Sequence, residues 1–297
     1  MATPLAPRRA LAALPDGAFG PTRRGRLARA SSGDGDGGQG PIGPPPRPGG
    51  PSPMGSPGPQ SRPSEPAFNV PGVVLALIAL MALIHIGRGW LSPDGEVALL
   101  LRYAFIPARY DEIGLWPGGM GAAVWTFLTH ALLHGSVLHL VANAIWLAAF
   151  GSAMARRLGT GRFLAFSAAC AVGGALLHLV AHAGEWVPMV GASGAISGHM
   201  AGAARFAFAP GGPLSRFASR DLAVYRRPAE PLPRVLRDGR VLGFLGVWFA
   251  INFLFGAGII DPGLEEGTSV AWEAHVGGFL AGLLLFPLFD PVPRRKV

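Results

Sequence analysis

The amino-acid sequence predicts an all-α polytopic membrane protein, built as a bundle of six transmembrane helices. Three observations carry that expectation. Half of the 297 residues are hydrophobic and the mean hydropathy is +0.37. Only 14% of the residues are charged, against roughly 25% in a soluble globular domain. Six apolar segments, at about 69–87, 135–154, 161–182, 190–210, 241–260 and 268–289, each supply the ~20 residues that carry a helix across the hydrocarbon core. Lipid leaves no partner for unpaired backbone groups, so runs of this length are helices.

The six-span core, 67–290, lies between two tails. Residues 1–66 are rich in Pro, Gly, Ser and Arg, as in GDGDGGQGPIGPPPRPGGPSPMGSPGPQ at 33–60. Such a segment has too little apolar surface to offset the entropy of ordering, which marks a disordered tail. It is read as a solvated tail with no specific role, the functional alternative being a cytoplasmic tether or a surface for anionic lipid. Residues 291–297 form a short basic C-terminal tail with Arg294, Arg295 and Lys296. The lone cysteine, Cys170, lies in an apolar run and excludes an intramolecular disulfide.

Charge sets the orientation. Arg156, Arg157 and Arg162 flank the second connection, and Arg216, Arg220, Arg226, Arg227, Arg234, Arg237 and Arg240 the fourth. Cations mark the cytoplasmic side, so both termini and these connections are expected inside. The opposite side holds eight acids, among them Asp94, Glu96, Glu185 and Glu266, with only Arg88, Arg102 and Arg109. The net charge of +8 is therefore assigned to membrane orientation, and no nucleic-acid partner is expected. The long external connection, 88–134, carries Trp90, Tyr103, Tyr110, Trp116 and Trp125, residue types that favour the membrane interface.

Three spans carry polar residues with chemical meaning. The fourth opens with Gly-Ala-Ser-Gly, 191–194, a motif that alone is also an ordinary small-residue packing face. The sixth contains AHVGGFLAG, 274–282. A histidine inside a membrane span is costly and faces the bundle interior or water, which makes His275 a functional candidate. Gly278 and Gly282 would let this helix approach the fourth closely enough for His275 to reach Ser193, and a serine hydroxyl needs such a base to become a nucleophile. At ~1.5 Å per residue, both fall in the outer half of the membrane. The second span adds His139 and Asn143, which share a helix face and fit as donors to a developing oxyanion beside the Ser193 N–H. Glu273 is two residues from His275 on another face, and no further acid lies within the spans, so a Ser–His dyad is expected rather than a triad.

His178 and His182 form another pair one turn apart. A third ligand is not evident from the sequence and no HExxH motif occurs, so no metal and no cofactor are expected. His85, His130, His134 and His199 are read as interfacial or structural, and Arg205 as reaching for the inner surface.

Together, THALLHGSVLHLVANAIWLAAFG (129–151), GASG (191–194) and AHVGGFLAG (274–282) resemble the rhomboid family of intramembrane serine proteases, in the family's order, over about 69–289. The resemblance implies a rhomboid-like bundle that cleaves transmembrane protein substrates near the outer face. It implies Ser193 as nucleophile, His275 as general base and acid, and His139 with Asn143 as oxyanion donors. The sequence departs from the family at two places. An aromatic residue that often stacks on the catalytic histidine is replaced by Ser197, so another residue must orient His275. A Trp-Arg pair common before the second span reads Trp125-Thr126. The compact six-span core favours a bacterial plasma membrane, while the Arg-rich first thirty residues also fit an organelle transit peptide. A non-proteolytic binder of transmembrane clients and a transporter are the rival readings. The charge-poor interior argues against the transporter.

Overall fold

The computed structural model describes residues 70–208, 222–256 and 270–293, with Gly212 and Ile259. The expected tail at 1–66 and the last four residues lie outside the described residues. Among those described, every regular element is helical, and extended pairing is confined to one isolated bridge, Phe105 with Met189.

The first helix, α1, runs Gly72–Arg88. The external connection after it is folded. It contains α2 (Pro93–Tyr103), capped by Ser92 Oγ, which accepts from Gly95 N at 3.2 Å. Two 3-10 turns follow, then α3 (Gly119–Thr129). Ser136 caps the next helix, α4 (Val137–Leu158), in the same way, accepting from His139 N at 3.2 Å. α4 has a π-helical stretch over Leu147–Gly151. It stops at Gly159, whose φ of 75° is open to glycine and allows the chain to re-enter at once as α5 (Thr160–Ala181). α6 covers Ser193–Ala203, α7 Gly239–Gly256 and α8 Trp272–Phe289.

Three of these helices, α4, α5 and α8, are long and apolar enough to cross a membrane, and Gly72–Arg88 and Gly239–Phe255 are shorter apolar helices. The fourth expected span is where sequence and structure differ most. Its helix is only 11 residues long, because it begins inside the bundle, after the extended segment that pairs Met189 with Phe105. Its glycines and alanines are nearly all buried, so it needs no lipid-facing apolar stripe.

The centre of the bundle is α8 packed against α5 and α6. Glycine makes that approach possible. A Cβ on Gly174 would sit 2.7 Å from Ala274 O, and one on Gly278 would collide with Gly194 O. Backbones in such contact gain dispersion and weak Cα–H···O bonding, which replace the absent hydrophobic drive between helices in lipid.

Polar pins close both ends. At one, Arg88 pairs with Glu96 and donates to His134 O at 2.7 Å, tying α1 to α2 and to the loop before α4. In the same region Arg109 is fully buried, donating to Leu101 O and Pro117 O and lying 5.4 Å from the Trp116 ring. Trp125 Nε1 donates to Arg102 O at 2.9 Å, while Thr126 turns back to Ala122 O. Trp125 and Arg109 thus anchor the connection where a Trp-Arg pair might have been sought. At the other end Arg157 grips Asp290 through two bonds of 3.0 and 2.8 Å, donates to Tyr225 O and Arg227 O, and lies over Phe206. Arg205, expected to reach for the inner surface, donates to Glu230 O at 2.7 Å and lies 5.7 Å from the Phe286 ring.

Two stability measurements test this architecture. Gly278→Ala should lower the Tm of the detergent-solubilised protein by several degrees, while Gly87→Ala, with open space around its Cα, should leave it unchanged. Arg157→Met leaves the Asp290 carboxylate uncompensated and should cost about 3–5 kcal/mol, read by thermal or denaturant unfolding.

Candidate active site

Ser193 is the first residue of α6, and His275 lies in the first turn of α8. Both side chains are half-buried. The glycine contacts between these helices bring His275 Nε2 to 2.7 Å from Ser193 Oγ. The expected pair therefore forms.

The other ring nitrogen shows how the imidazole is oriented. His275 Nδ1 hydrogen-bonds Asn252 Oδ1, from α7. The Asn252 amide is held in turn, because its Nδ2 donates to Trp248 O at 2.8 Å. With its nitrogen committed there, Asn252 presents oxygen to the ring, so Nδ1 carries the proton. The lone pair is then on Nε2, facing the serine hydroxyl. Trp248 flanks the ring with centroids 6.5 Å apart and stacks on Phe279. Ser197, where an aromatic residue was missing, has its hydroxyl turned to Ser193 O at 2.7 Å.

Sequence reasoning missed Asn252. The available signal was an amide inside the apolar run at 241–260, of the kind that marks a functional or packing role in lipid.

His139 and Asn143 lie one turn apart on α4, and Asn143 Nδ2 donates to His139 O at 2.9 Å. Gly191, at φ 121°, makes room for the His139 ring. A Cβ there would stand 2.7 Å from His139 Nε2 and 3.7 Å from Ser193 Oγ. The imidazole and the serine hydroxyl thus border the same small space above Gly191. The strand-like segment leading to Ser193 is fixed by three backbone bonds: Phe105 N to Met189 O at 3.1 Å, Met189 N to Phe105 O at 2.8 Å, and Gly191 N to His130 O at 2.9 Å. In α6 a bond from Ile196 N to Ala192 O spans 3.0 Å. The N–H groups that precede it, Ser193 among them, are those a helix start leaves open.

Four further histidines separate into two groups. His130 Nδ1 bonds Thr126 O at 2.8 Å, and His199 Nε2 bonds Ser167 Oγ at 2.8 Å, both structural. His178 and His182 sit at the end of α5, and Glu273 of α8 stands beside them. The third group the sequence did not reveal is therefore supplied by another helix.

Fold and site together define a helical integral membrane protein with a serine–imidazole pair held between two closely packed helices. The chain belongs to the Rhomboid family, whose domain matches residues 121–290. It is 28% identical over 225 residues to the rhomboid protease GlpG of Enterobacter sp. (strain 638), covering 75% of this chain and 64% of that protein. It is 27% identical over 195 residues to rhomboid-like protease 3 of Toxoplasma gondii, covering 65% of this chain and 59% of that protein. The matched regions span less than two thirds of the length of either relative.

The tautomer is open to direct measurement. In protein carrying 15N-labelled histidine, the His275 ring should appear as the Nδ1–H form at neutral pH. Asn252→Leu should shift or broaden its Nδ1–H resonance, and Ser197→Ala should leave it in place.

Proposed function

We propose that this rhomboid-family protein is an intramembrane serine endopeptidase that cleaves transmembrane protein substrates near the outer membrane face. The observation that carries the proposal is the 2.7 Å approach of His275 Nε2 to Ser193 Oγ, with the opposite ring nitrogen on Asn252 Oδ1.

In this reading Ser193 Oγ passes its proton to His275 Nε2 and attacks the scissile carbonyl carbon. The carbonyl oxygen becomes an oxyanion, which receives the Ser193 backbone N–H, the His139 ring N–H and the second N–H of Asn143. His275, now an imidazolium, gives the proton to the leaving amine nitrogen and the peptide bond breaks. Water then attacks the acyl-enzyme with His275 again as base, and the serine is regenerated. Asn252 is a positioning residue: it selects the reactive tautomer and holds the ring plane, as an acid does in other serine enzymes. A neutral amide does so without the desolvation that a carboxylate would suffer inside the bundle. No cofactor enters the chemistry. A helical substrate must unwind locally to expose its carbonyl, since its backbone is otherwise internally hydrogen-bonded.

The reading includes six membrane-spanning segments with both termini cytoplasmic, lipid as the surrounding partner, and a bacterial plasma membrane. Basic residues on the second and fourth connections support the orientation. The short buried α6 counts as the fourth segment, shielded from lipid by its neighbours.

The test incubates detergent-purified protein with a model transmembrane substrate. Ser193→Ala and His275→Ala should abolish cleavage, and a fluorophosphonate probe should label wild type but not Ser193→Ala. Equal cleavage by all three proteins would sink the assignment. Asn252→Ala should lower kcat by roughly 10- to 100-fold with KM little changed, within the range a misoriented general base forfeits.

A further inference from the structure

We propose that His178, His182 and Glu273 form a binding site for a zinc-class divalent cation, which clamps the end of α5 to the start of α8. One ligating atom from each of the three lies within 4.8 Å of the others. His182 Nε2 and Glu273 Oε1 are 3.4 Å apart. Two ligands at about 2.1 Å from a tetrahedral ion stand about 3.4 Å from each other.

The outer contacts of both imidazoles point the same way. His182 Nδ1 donates to Glu185 Oε2 at 2.9 Å, which leaves Nε2, beside Glu273, as the nitrogen at which a cation would replace a proton. A carboxylate behind a histidine is the arrangement that orients and strengthens a metal-ligating ring. His178 Nε2 lies 3.1 Å from Val187 O. A carbonyl only accepts, so Nε2 holds the proton and Nδ1 is the basic atom. That Nδ1 is buried and has no hydrogen-bond partner, on a residue 1% exposed. Its ring centroid is 4.8 Å from that of His182. A buried lone pair left open costs free energy, and a cation would remove that cost.

Two imidazoles and one carboxylate form a donor set suited to zinc and its neighbours, leaving a fourth position for water. The His182 and Glu273 side chains retain 24% and 14% exposure, which gives an ion a path from solvent. The ligands come from two helices, so the ion would join them, two residues from His275. The site stands independently of the proteolytic reading, and its test uses no activity.

The experiment takes tag-free full-length protein in detergent, stripped with a chelator, and titrates it with Zn2+ and with Co2+. One equivalent should bind, with the visible absorption of tetrahedral cobalt and a rise in Tm under excess Zn2+. His182→Ala and Glu273→Gln, both at partly exposed positions, should each weaken binding at least 100-fold while the metal-free Tm stays close to wild type. Glu185→Gln should weaken it by roughly 10- to 100-fold. Absence of saturable binding, or unchanged binding in the His182→Ala, Glu273→Gln double variant, would overturn the site and leave a His182 flanked by two carboxylates as a simple ion pair.

Discussion

The approach of α8 to α5 and α6 across glycine is the constraint on which the rest of the molecule depends. Gly173 and Gly174 face Gly277 and Ala274, while Gly194 and Gly198 face Gly278 and Gly282. Between helices in lipid there is no hydrophobic gain to be had, so attraction comes from close packing and weak hydrogen bonds. Backbone contact fixes rotation and height together, because a step along the helix would drive a side chain into a carbonyl. Ser193 is immediately before Gly194, and His275 is three residues before Gly278. Their meeting is therefore a consequence of the packing stripe, and no long flexible side chain has to search for its partner.

Orientation of the His275 ring is a separate problem, solved by α7. That helix packs less closely on α8 than do α5 and α6, yet it supplies Asn252, Trp248 and the aromatic stack on Phe279. The i−4 bond from Asn252 to Trp248 O decides which end of the amide meets the ring. An acid at this place would carry a charge into a site with no cation among the residues described around it, whereas an amide needs only its two hydrogen bonds. The same choice of neutral partners recurs at His130 and His199.

Among the described residues, buried arginines pin the bundle's ends. Arg157 has a bidentate carboxylate, two carbonyls and aromatic faces, and Arg109 has two carbonyls and an indole. These arginines are structural pins as much as topological signals. The count of cations in a connection does not distinguish the two uses: Arg157, a cytoplasmic-side marker in sequence, is a buried anchor in the fold.

The helical membrane class, the family resemblance and the pairing of Ser193 with His275 were legible in the residues themselves. Hydropathy, the position of arginines and the small-residue spacing are one-dimensional patterns with one-dimensional causes: hydrocarbon thickness, charge transfer and helix pitch. That His139 and Asn143 share one helix face was legible for the same reason, since they are one turn apart. Other features depended on which separate elements meet. Asn252 lies 23 residues from His275 and Glu273 lies 91 from His182, and no periodicity connects them. Only the tertiary structure decided that α7 holds the His275 ring, that α6 is a short buried helix, and that Glu273 completes a cluster with two histidines at the end of α5. Such contacts are set by the relative rotation and height of helices, quantities that a local pattern of residues does not contain.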